Sequence, residues 1–454
     1  MSWPRPTPRA AFAARRQRLQ ARLAAPAWLT SGLPRPRNFA RNPYPFRAES
    51  HFLYLVGLSM PAAVLRIDPG NATLYLNPPD PALELWEGPR PTLRDWSDEL
   101  ELEVRPLADL RREPQATTLP PTDLASRRWL GDLMGRAVGP ELSAVDEALA
   151  EAIIGLRLTH DPAALDQVRQ AIAVTRAAHL AGMRASRPGR LETEVRAAID
   201  ERIVAHGMTH AYAPIVTVTG EVLHDERQHR RLQEESLVLV DAGAETPDGW
   251  ASDVTRTWPA RGVFSSTQRE LYQVVLDMQA AALERVRPGA EFRDVHHAAR
   301  RVLVTRLLEL GILRGTLDEL HDRGASALFF PHGVGHLLGL DVHDLEDLGD
   351  RAGYGPGHER TADPADRYLR LDRKLTPGMV VTIEPGFYRV ERLFAGDRSL
   401  LASIDADRLA RYDDVRGIRI EDDVLVTESG CEVLSASIPK EPSEIEASYC
   451  DQGL

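Results

Sequence analysis

The period of apolar and polar positions changes several times along this chain, and the changes mark its elements. Residues 10–23 carry apolar side chains at helical spacing, as in a surface helix. Beyond them, up to about Leu158, short apolar runs such as Phe52-Leu-Tyr-Leu-Val56 and Ala72-Thr-Leu-Tyr-Leu76 predict strands, separated by helix-like stretches and proline-rich loops. This first part reads as a small α/β domain. A helical stretch from about Leu142 to Leu156 then leads to His160-Asp161-Pro162, where the proline ends one element and Asp161 can cap the next. A boundary there divides the chain into residues 1–158 and 159–454.

The second part contains a weak internal repeat. Arg187-Pro-Gly189 follows one amphipathic helix and precedes another that ends near Gly207. Arg287-Pro-Gly289 likewise follows one helix and precedes another ending near Gly311. Each unit is followed by strand-like sequence, so two similar halves are expected, with a ligand site drawing on strands from both.

Several of the apolar runs in these halves end on, or enclose, a charge. Ser236-Leu-Val-Leu-Val-Asp241 is a buried-strand pattern that stops at a carboxylate, and a turn at Pro247-Asp-Gly249 leads to a second strand-like segment carrying Asp253. A hairpin would bring both aspartates to one face. Residues 332–343 hold three histidines, His332, His336 and His343, around a glycine-rich bend that permits close backbone approach to a ligand. The run Met379-Val-Val-Thr-Ile stops at Glu384 before a Pro-Gly break, and Gly417-Ile-Arg-Ile-Glu421-Asp-Asp-Val-Leu-Val426 predicts a strand with Glu421 inside it and Arg419 on the same face. Carboxylates in such places are costly without a cation. Asp241, Asp253, His336, Glu384 and Glu421 aimed at one point would repel unless two divalent ions sat between them, and that points to metal-assisted hydrolysis. Oxygen-rich ligation with a single imidazole favours Mn²⁺, with Zn²⁺ or Co²⁺ possible. Arg419 supplies part of the compensating charge as an outer partner.

Composition narrows the setting. The chain has 454 residues, enough for two domains, with 43% hydrophobic residues and a net charge of −12. No apolar run approaches the ~18 residues a membrane span needs, so no membrane partner is expected. A nucleic-acid polyanion would be repelled overall, which leaves a small-molecule or peptide substrate. Lys374 and Lys440 are the only lysines, so the arginine excess reads as coding bias. Residues before Glu49 lack acidic side chains, as in a transit peptide, but the helical period of residues 10–23 favours an ordinary helix. Cys431 and Cys450 have no CxxC partner, and a cytoplasmic location is expected.

The motifs VDAG from Val240, SDVTRTWP from Ser252, HGVGHLLGLDVHD from His332, PGMVVTIEPGFY from Pro377 and GIRIEDDVLVT from Gly417 resemble, in order, those of the pita-bread metallopeptidase family that contains aminopeptidase P, prolidase and methionine aminopeptidase. Phe46-Arg-Ala-Glu-Ser-His-Phe-Leu-Tyr-Leu-Val-Gly57 and Asp80-Pro-Ala-Leu-Glu-Leu-Trp-Glu-Gly88 resemble the N-terminal domain of aminopeptidase P, which methionine aminopeptidase lacks. The resemblance implies an α/β (α+β) fold whose second domain, residues 159–454, is a pita-bread domain with pseudo-twofold halves. By motif, Asp241 and Asp253 would chelate one ion, His336 and Glu384 would complete its partner's shell, and Asp253 and Glu421 would bridge. Glu384 would also take the proton of the attacking water. His224 and His343 would contact substrate and steady the oxyanion, and His332 would shape the proline-side pocket.

The implied activity is hydrolysis of the bond between an N-terminal residue and a following proline. Two subfamilies stay open. The loop Gly355-Pro-Gly-His-Glu-Arg through Tyr368-Leu-Arg370-Leu-Asp-Arg-Lys-Leu-Thr-Pro-Gly378 resembles a prolidase insertion, in which Arg370 would bind a dipeptide carboxylate. The N-terminal domain and the tail Pro439-Lys-Glu-Pro-Ser-Glu-Ile-Glu resemble aminopeptidase P, which also accepts longer peptides. A departure follows His224, where Asp225-Glu-Arg-Gln-His replaces the usual aromatic and small residues, so the pocket rim is expected to differ. A homodimer or higher homo-oligomer is the family habit. A non-catalytic binding protein on the same fold would lose ligands, and all five positions here hold competent ones; metal-free creatinase-like hydrolysis is excluded on the same ground.

Overall fold

The computed structural model describes residues 7–355, 357–395 and 398–449; Cys450, and Pro356 of the Gly355-Pro-Gly loop, lie outside them. The described residues divide into two compact units. The first runs to Leu158 and includes Pro162–Gln167 and Asp347–Arg351; the second takes Thr159–Asp161, Val168–Glu346 and the chain from Ala352.

In the first unit β1 (Ala27–Thr30), β2 (Val64–Asp68), β3 (Asn71–Leu76), β4 (Glu103–Pro106) and β5 (Thr117–Thr118) form one sheet in the order β4-β3-β2-β1-β5. The β1-β2 and β2-β3 pairs are antiparallel, and the β3-β4 and β1-β5 pairs are parallel. Trp28, Val64, Tyr75, Ala116, Leu130 and Met134 pack one core cluster. The apolar run 52–56, expected as a strand, is part of the helix Ser50–Val56. Every residue from His51 to Val56 is buried, so the run shows no period by which helix and strand differ. Gly57, at φ 72°, closes the helix by donating its N–H to Leu53 O. The helix expected from about Leu142 starts at Glu147. Before it, buried Asp146 accepts hydrogen bonds from Ser143 Oγ (2.5 Å), Thr118 N (2.7 Å) and Arg136 (2.7 Å), which fixes a turn there instead.

The second unit repeats one plan twice. In the first half, the helix Pro162–Ala185, which belongs to this unit from Val168 on, and the helix Glu192–Ala205 precede β6 (Thr209–His210), β7 (Ile215–Thr217), β8 (Leu237–Asp241), β9 (Ala244–Glu245) and β10 (Thr255–Pro259). In the second, helices Ser266–Leu283 and Phe292–Glu309 precede β11 (Val380–Ile383), β12 (Gly386–Tyr388), β13 (Gly417–Arg419), β14 (Asp422–Val426) and β15 (Cys431–Val433). The sheets are β10-β8-β7 and β11-β14-β15, with the pairs β12-β13 and β6-β9. The two Arg-Pro-Gly turns make matching bonds. Gly189 (φ 89°) donates to Leu232 O at 2.8 Å, and Gly289 (φ 78°) donates to Leu375 O at 2.8 Å. Leu232 and Leu375 return bonds to Arg190 O (2.8 Å) and Ala290 O (2.9 Å). From each leucine the chain enters a buried strand, and nine residues on stands a carboxylate, Asp241 in one half and Glu384 in the other. The pseudo-twofold arrangement is thus carried by equivalent backbone bonds, and it delivers one acid from each half.

Backbone from the two halves meets at Gly220 and Gly417, where a Cβ on Gly417 would lie 2.3 Å from Gly220 C. Gly417→Ala is expected to cost about 1–3 kcal/mol through overpacking. Gly289→Ala meets no atom within 4 Å, so only its φ of 78° opposes it, at about 1–2 kcal/mol. Urea midpoints compare the two, and a Gly417→Ala midpoint as high as wild type would refute the tight approach.

Candidate metal centre

The candidate ligands stand where backbone ladders change partners. Asp241 is the last residue of β8, paired across β10 with Thr255, and Asp253 lies two residues before that threonine. Glu384 falls between β11 and β12. Glu421, expected inside one continuous strand, sits between β13 and β14. The chain breaks there because β13 pairs with β12 whereas β14 pairs with β11, and the Glu421 N–H turns to Thr255 O at 3.0 Å. The histidine segment runs beside β11: Thr382 N–H donates to His336 O (3.0 Å), and Glu384 N–H donates to Val334 O (2.8 Å). A Cβ on Gly335 would lie 1.9 Å from Thr382 O, so only glycine allows this approach.

These elements bring the five side chains together. Ligating atoms of Asp253, His336 and Glu421 all lie within 4.8 Å of one another. His336 Nε2 is 3.3 Å from Asp253 Oδ2 and 3.6 Å from Glu384 Oε1. Its Nδ1 donates to Leu337 O at 2.9 Å, which leaves the Nε2 lone pair for a cation. Asp241 accepts from Tyr212 OH (2.5 Å) and Arg419 Nη2 (2.6 Å). Arg419 also donates to Thr255 Oγ1 (3.0 Å) and Tyr388 OH (3.2 Å), and the Thr255 hydroxyl donates to Glu421 Oε2 (2.7 Å). Arg419, read from the sequence as an outer partner and also as a candidate substrate-binding residue, is engaged with Asp241, Thr255 and Tyr388.

The donor set fits divalent ions. Burial, then the repulsion of neighbouring carboxylates, holds Glu421 well above the ordinary carboxylate range. Burial raises Asp253 against the pull of His336, and pushes Glu384 up to about 7. Such values belong to acids pressed together without their counter-charge, and a bound cation inverts them. His343 and His332 go the other way: burial holds them neutral, at about 2 and about 3.

A cleft of about 690 Å³ opens over these groups, and His224, His332, His343, Tyr368, Arg370 and Tyr212 are among its lining residues. His332 donates from Nδ1 to Gly333 O (2.8 Å), and its Nε2 faces Tyr388 OH at 2.8 Å. The His343 and His336 rings meet edge to face, their centroids 4.2 Å apart. His343 holds φ 60°, a strained conformation for a non-glycine residue. Exposed His224 is followed by buried Asp225, which binds Arg227 (2.8 Å), Arg230 (2.6 Å) and Thr219 (3.1 Å); the departure after His224 thus builds a clamp for the rim loop. Sequence reasoning missed Tyr212, Thr255, Tyr388 and Asp423, whose carboxylate accepts from Asp253 N–H at 3.2 Å. Thr255, Tyr388 and Asp423 stand in the quoted motifs, but Tyr212 carries no local signal.

The family model for metallopeptidase family M24 matches residues 166–428. The chain belongs to metallopeptidase family M24. The model for the aminopeptidase P N-terminal domain matches residues 12–119 of this M24 protein. A probable Xaa-Pro aminopeptidase of Verticillium alfalfae is 34% identical over 420 residues, covering 89% of this chain and 88% of the relative. Among solved structures, aminopeptidase PepP of Pseudomonas aeruginosa superposes with a TM-score of 0.79 at 30% identity, covering 98% of both chains. Aminopeptidase P of Escherichia coli in its low-pH form gives 0.81 at 29% identity, with the same coverage. The fold is thus that of the M24 peptidases with an aminopeptidase P N-terminal domain. Among the described residues no helix is long and apolar enough to cross a membrane.

Metal loading is expected to expel protons. Glu384 at about 7 is largely protonated in the metal-free protein at pH 6, and cation binding must displace that proton. This folded value lies above the unfolded one, so the group favours the metal-free fold at low pH and ceases to as pH rises through 7. The gain in melting temperature on adding Mn²⁺ should accordingly be larger at pH 8 than at pH 5.5, and titration in weak buffer at pH 6 should release acid. A pH-independent gain with no acid release would refute the proposed ligand set.

Proposed function

We propose that this protein is a metal-dependent Xaa-Pro aminopeptidase that removes an N-terminal residue preceding proline. The observation that carries the reading is the convergence of Asp241, Asp253, His336, Glu384 and Glu421 in one cleft of an M24 fold. The reading includes two divalent ions held by these five residues, with Mn²⁺ as the expected metal, and a cytosolic homo-oligomer. One similar structure is a zinc-substituted E. coli aminopeptidase P with product bound.

When bound, the ions would lower the pKa of a water molecule and polarise the scissile carbonyl. Glu384 suits the proton's path: a carboxylate beside that water accepts its proton and returns it to the leaving nitrogen. That return matters because the nitrogen of an Xaa-Pro bond is tertiary and carries no hydrogen of its own. His343 and His224 both line the cleft and would donate to the oxyanion. His332, fixed as the Nδ1–H tautomer by Gly333 O, offers an uncharged face for a pyrrolidine ring. Tyr212 and Arg419 orient Asp241 by direct hydrogen bonds.

Arg370 on the cleft wall supports a second reading, an Xaa-Pro dipeptidase that grips the substrate's C-terminal carboxylate. Rates on an Xaa-Pro dipeptide and an Xaa-Pro pentapeptide separate the two. Efficient cleavage of the pentapeptide is expected, whereas activity confined to the dipeptide would favour the second. Glu384→Ala should lower kcat on both about 10²- to 10⁴-fold while the variant still binds metal. Turnover that survives this change, or survives stripping of the ions by a chelator, would sink the mechanism.

A further inference from the structure

Next to His343 stands a carboxylate that the mechanism leaves without a role. Glu346 opens the 3-10 turn Glu346–Leu348, just after two non-glycine residues in the left-handed region, His343 (φ 60°) and Leu345 (φ 66°). Its Oε2 accepts a hydrogen bond from Arg370 Nη1 at 2.7 Å and lies 3.7 Å from His343 Nδ1. One oxygen thus neighbours both the imidazole packed on His336 and the guanidinium on the cleft wall.

Three arginines line the cleft. Arg419 donates to Asp241, Thr255 and Tyr388. Arg360 donates to Leu369 O at 2.9 Å and stacks over the Tyr354 ring at 5.2 Å. Arg370 is paired with Glu346, and the side chains of this pair are 39% and 35% exposed, in reach of solvent. A substrate carboxylate can compete for such a wet pair.

We propose that Glu346 is a specificity-determining residue. It holds Arg370 in an ion pair that the C-terminal carboxylate of an Xaa-Pro dipeptide must displace. A longer peptide presents a neutral amide at the same point and meets no such competition. The dipeptide anion therefore faces a pair of zero net charge rather than a free cation, and selectivity shifts toward longer chains. This inference rests on the Xaa-Pro reading above.

Glu346→Gln removes the charge and keeps the shape. It should raise kcat/KM for an Xaa-Pro dipeptide about two- to fivefold, the size of a half-exposed pair's contribution, mainly through a lower KM. Rates on the C-terminally amidated dipeptide and on a pentapeptide should change by less than about twofold. Glu346→Ala should act in the same direction, and adding Arg370→Ala should abolish the gain. If the ratio of dipeptide to dipeptide amide does not move, or kcat falls alike on all three substrates, Glu346 serves only to brace His343 and the inference is wrong. A wild-type enzyme that, loaded with Mn²⁺, cleaves none of the three would instead overturn the Xaa-Pro reading, and the inference with it.

Discussion

The arrangement of the second unit depends on electrostatic compensation for acids that the fold buries together. Two unit charges 4 Å apart repel by about 4 kcal/mol at an effective dielectric of about 20, and burial adds a solvation cost for each. Asp253, Glu421 and Asp423 are almost fully buried, and among the described residues one guanidinium, that of Arg419, is bonded to a carboxylate of the ligand group. Without further cations the acids compensate by holding protons, which is why Asp253, Glu384, Glu421 and Asp423 are all raised. The neighbouring pair Asp422 and Arg256 makes the contrast. Both are buried and 2.8 Å apart, Lys440 adds a second cation, and Asp422 is held low. Two adjacent aspartates in one strand thus take opposite states, according to whether the fold supplies a positive partner or reserves the place for one.

The internal repeat explains how such a cluster can be built without loss of backbone order. Each half turns at an Arg-Pro-Gly, anchors the glycine N–H on a strand entry, and runs that strand to an acid at its end. Strand ends are where ladder bonds run out and a side chain can be aimed inward without breaking a sheet. The β11-to-β12 and β13-to-β14 junctions add Glu384 and Glu421 at points where the chain leaves one partner for another. The glycines complete the fit, since Gly335 and Gly243 each leave room where a Cβ would lie 1.9 Å and 1.8 Å from a carbonyl oxygen.

What could be read in the sequence follows the same physics. The strand over 237–241 and the approach of Asp253 through a hairpin were legible because an apolar run ending in a charge is rare and costly. So was the doubling, since Arg-Pro-Gly recurs with the same neighbours. The run 52–56 misleads because full burial erases periodicity, and Glu421 misleads because an apolar pattern does not record a change of hydrogen-bond partner. Tyr212 was illegible for a different reason: its hydroxyl is 2.5 Å from Asp241, but the two stand 29 positions apart and nothing between them announces the contact. The pairing of Arg370 with Glu346, 24 residues apart, is hidden in the same way.

The arginines of the cleft show how charge can be divided between holding a site and reading a substrate. Arg419 is buried, and its hydrogen bonds tie Asp241, Thr255 and Tyr388 together; truncating it would leave the largely enclosed Asp241 without that partner, a change that approaches the roughly 3–5 kcal/mol of a broken buried pair. Arg370 is two-fifths exposed, and breaking its ion pair costs about 1 kcal/mol or less. That difference assigns their tasks. A cation whose release is expensive cannot respond to a ligand, so Arg419 fixes geometry; a cation whose pair is weak can exchange one carboxylate for another, so Arg370 can discriminate between substrates. Burial, more than identity or charge, separates the structural arginine from the selective one.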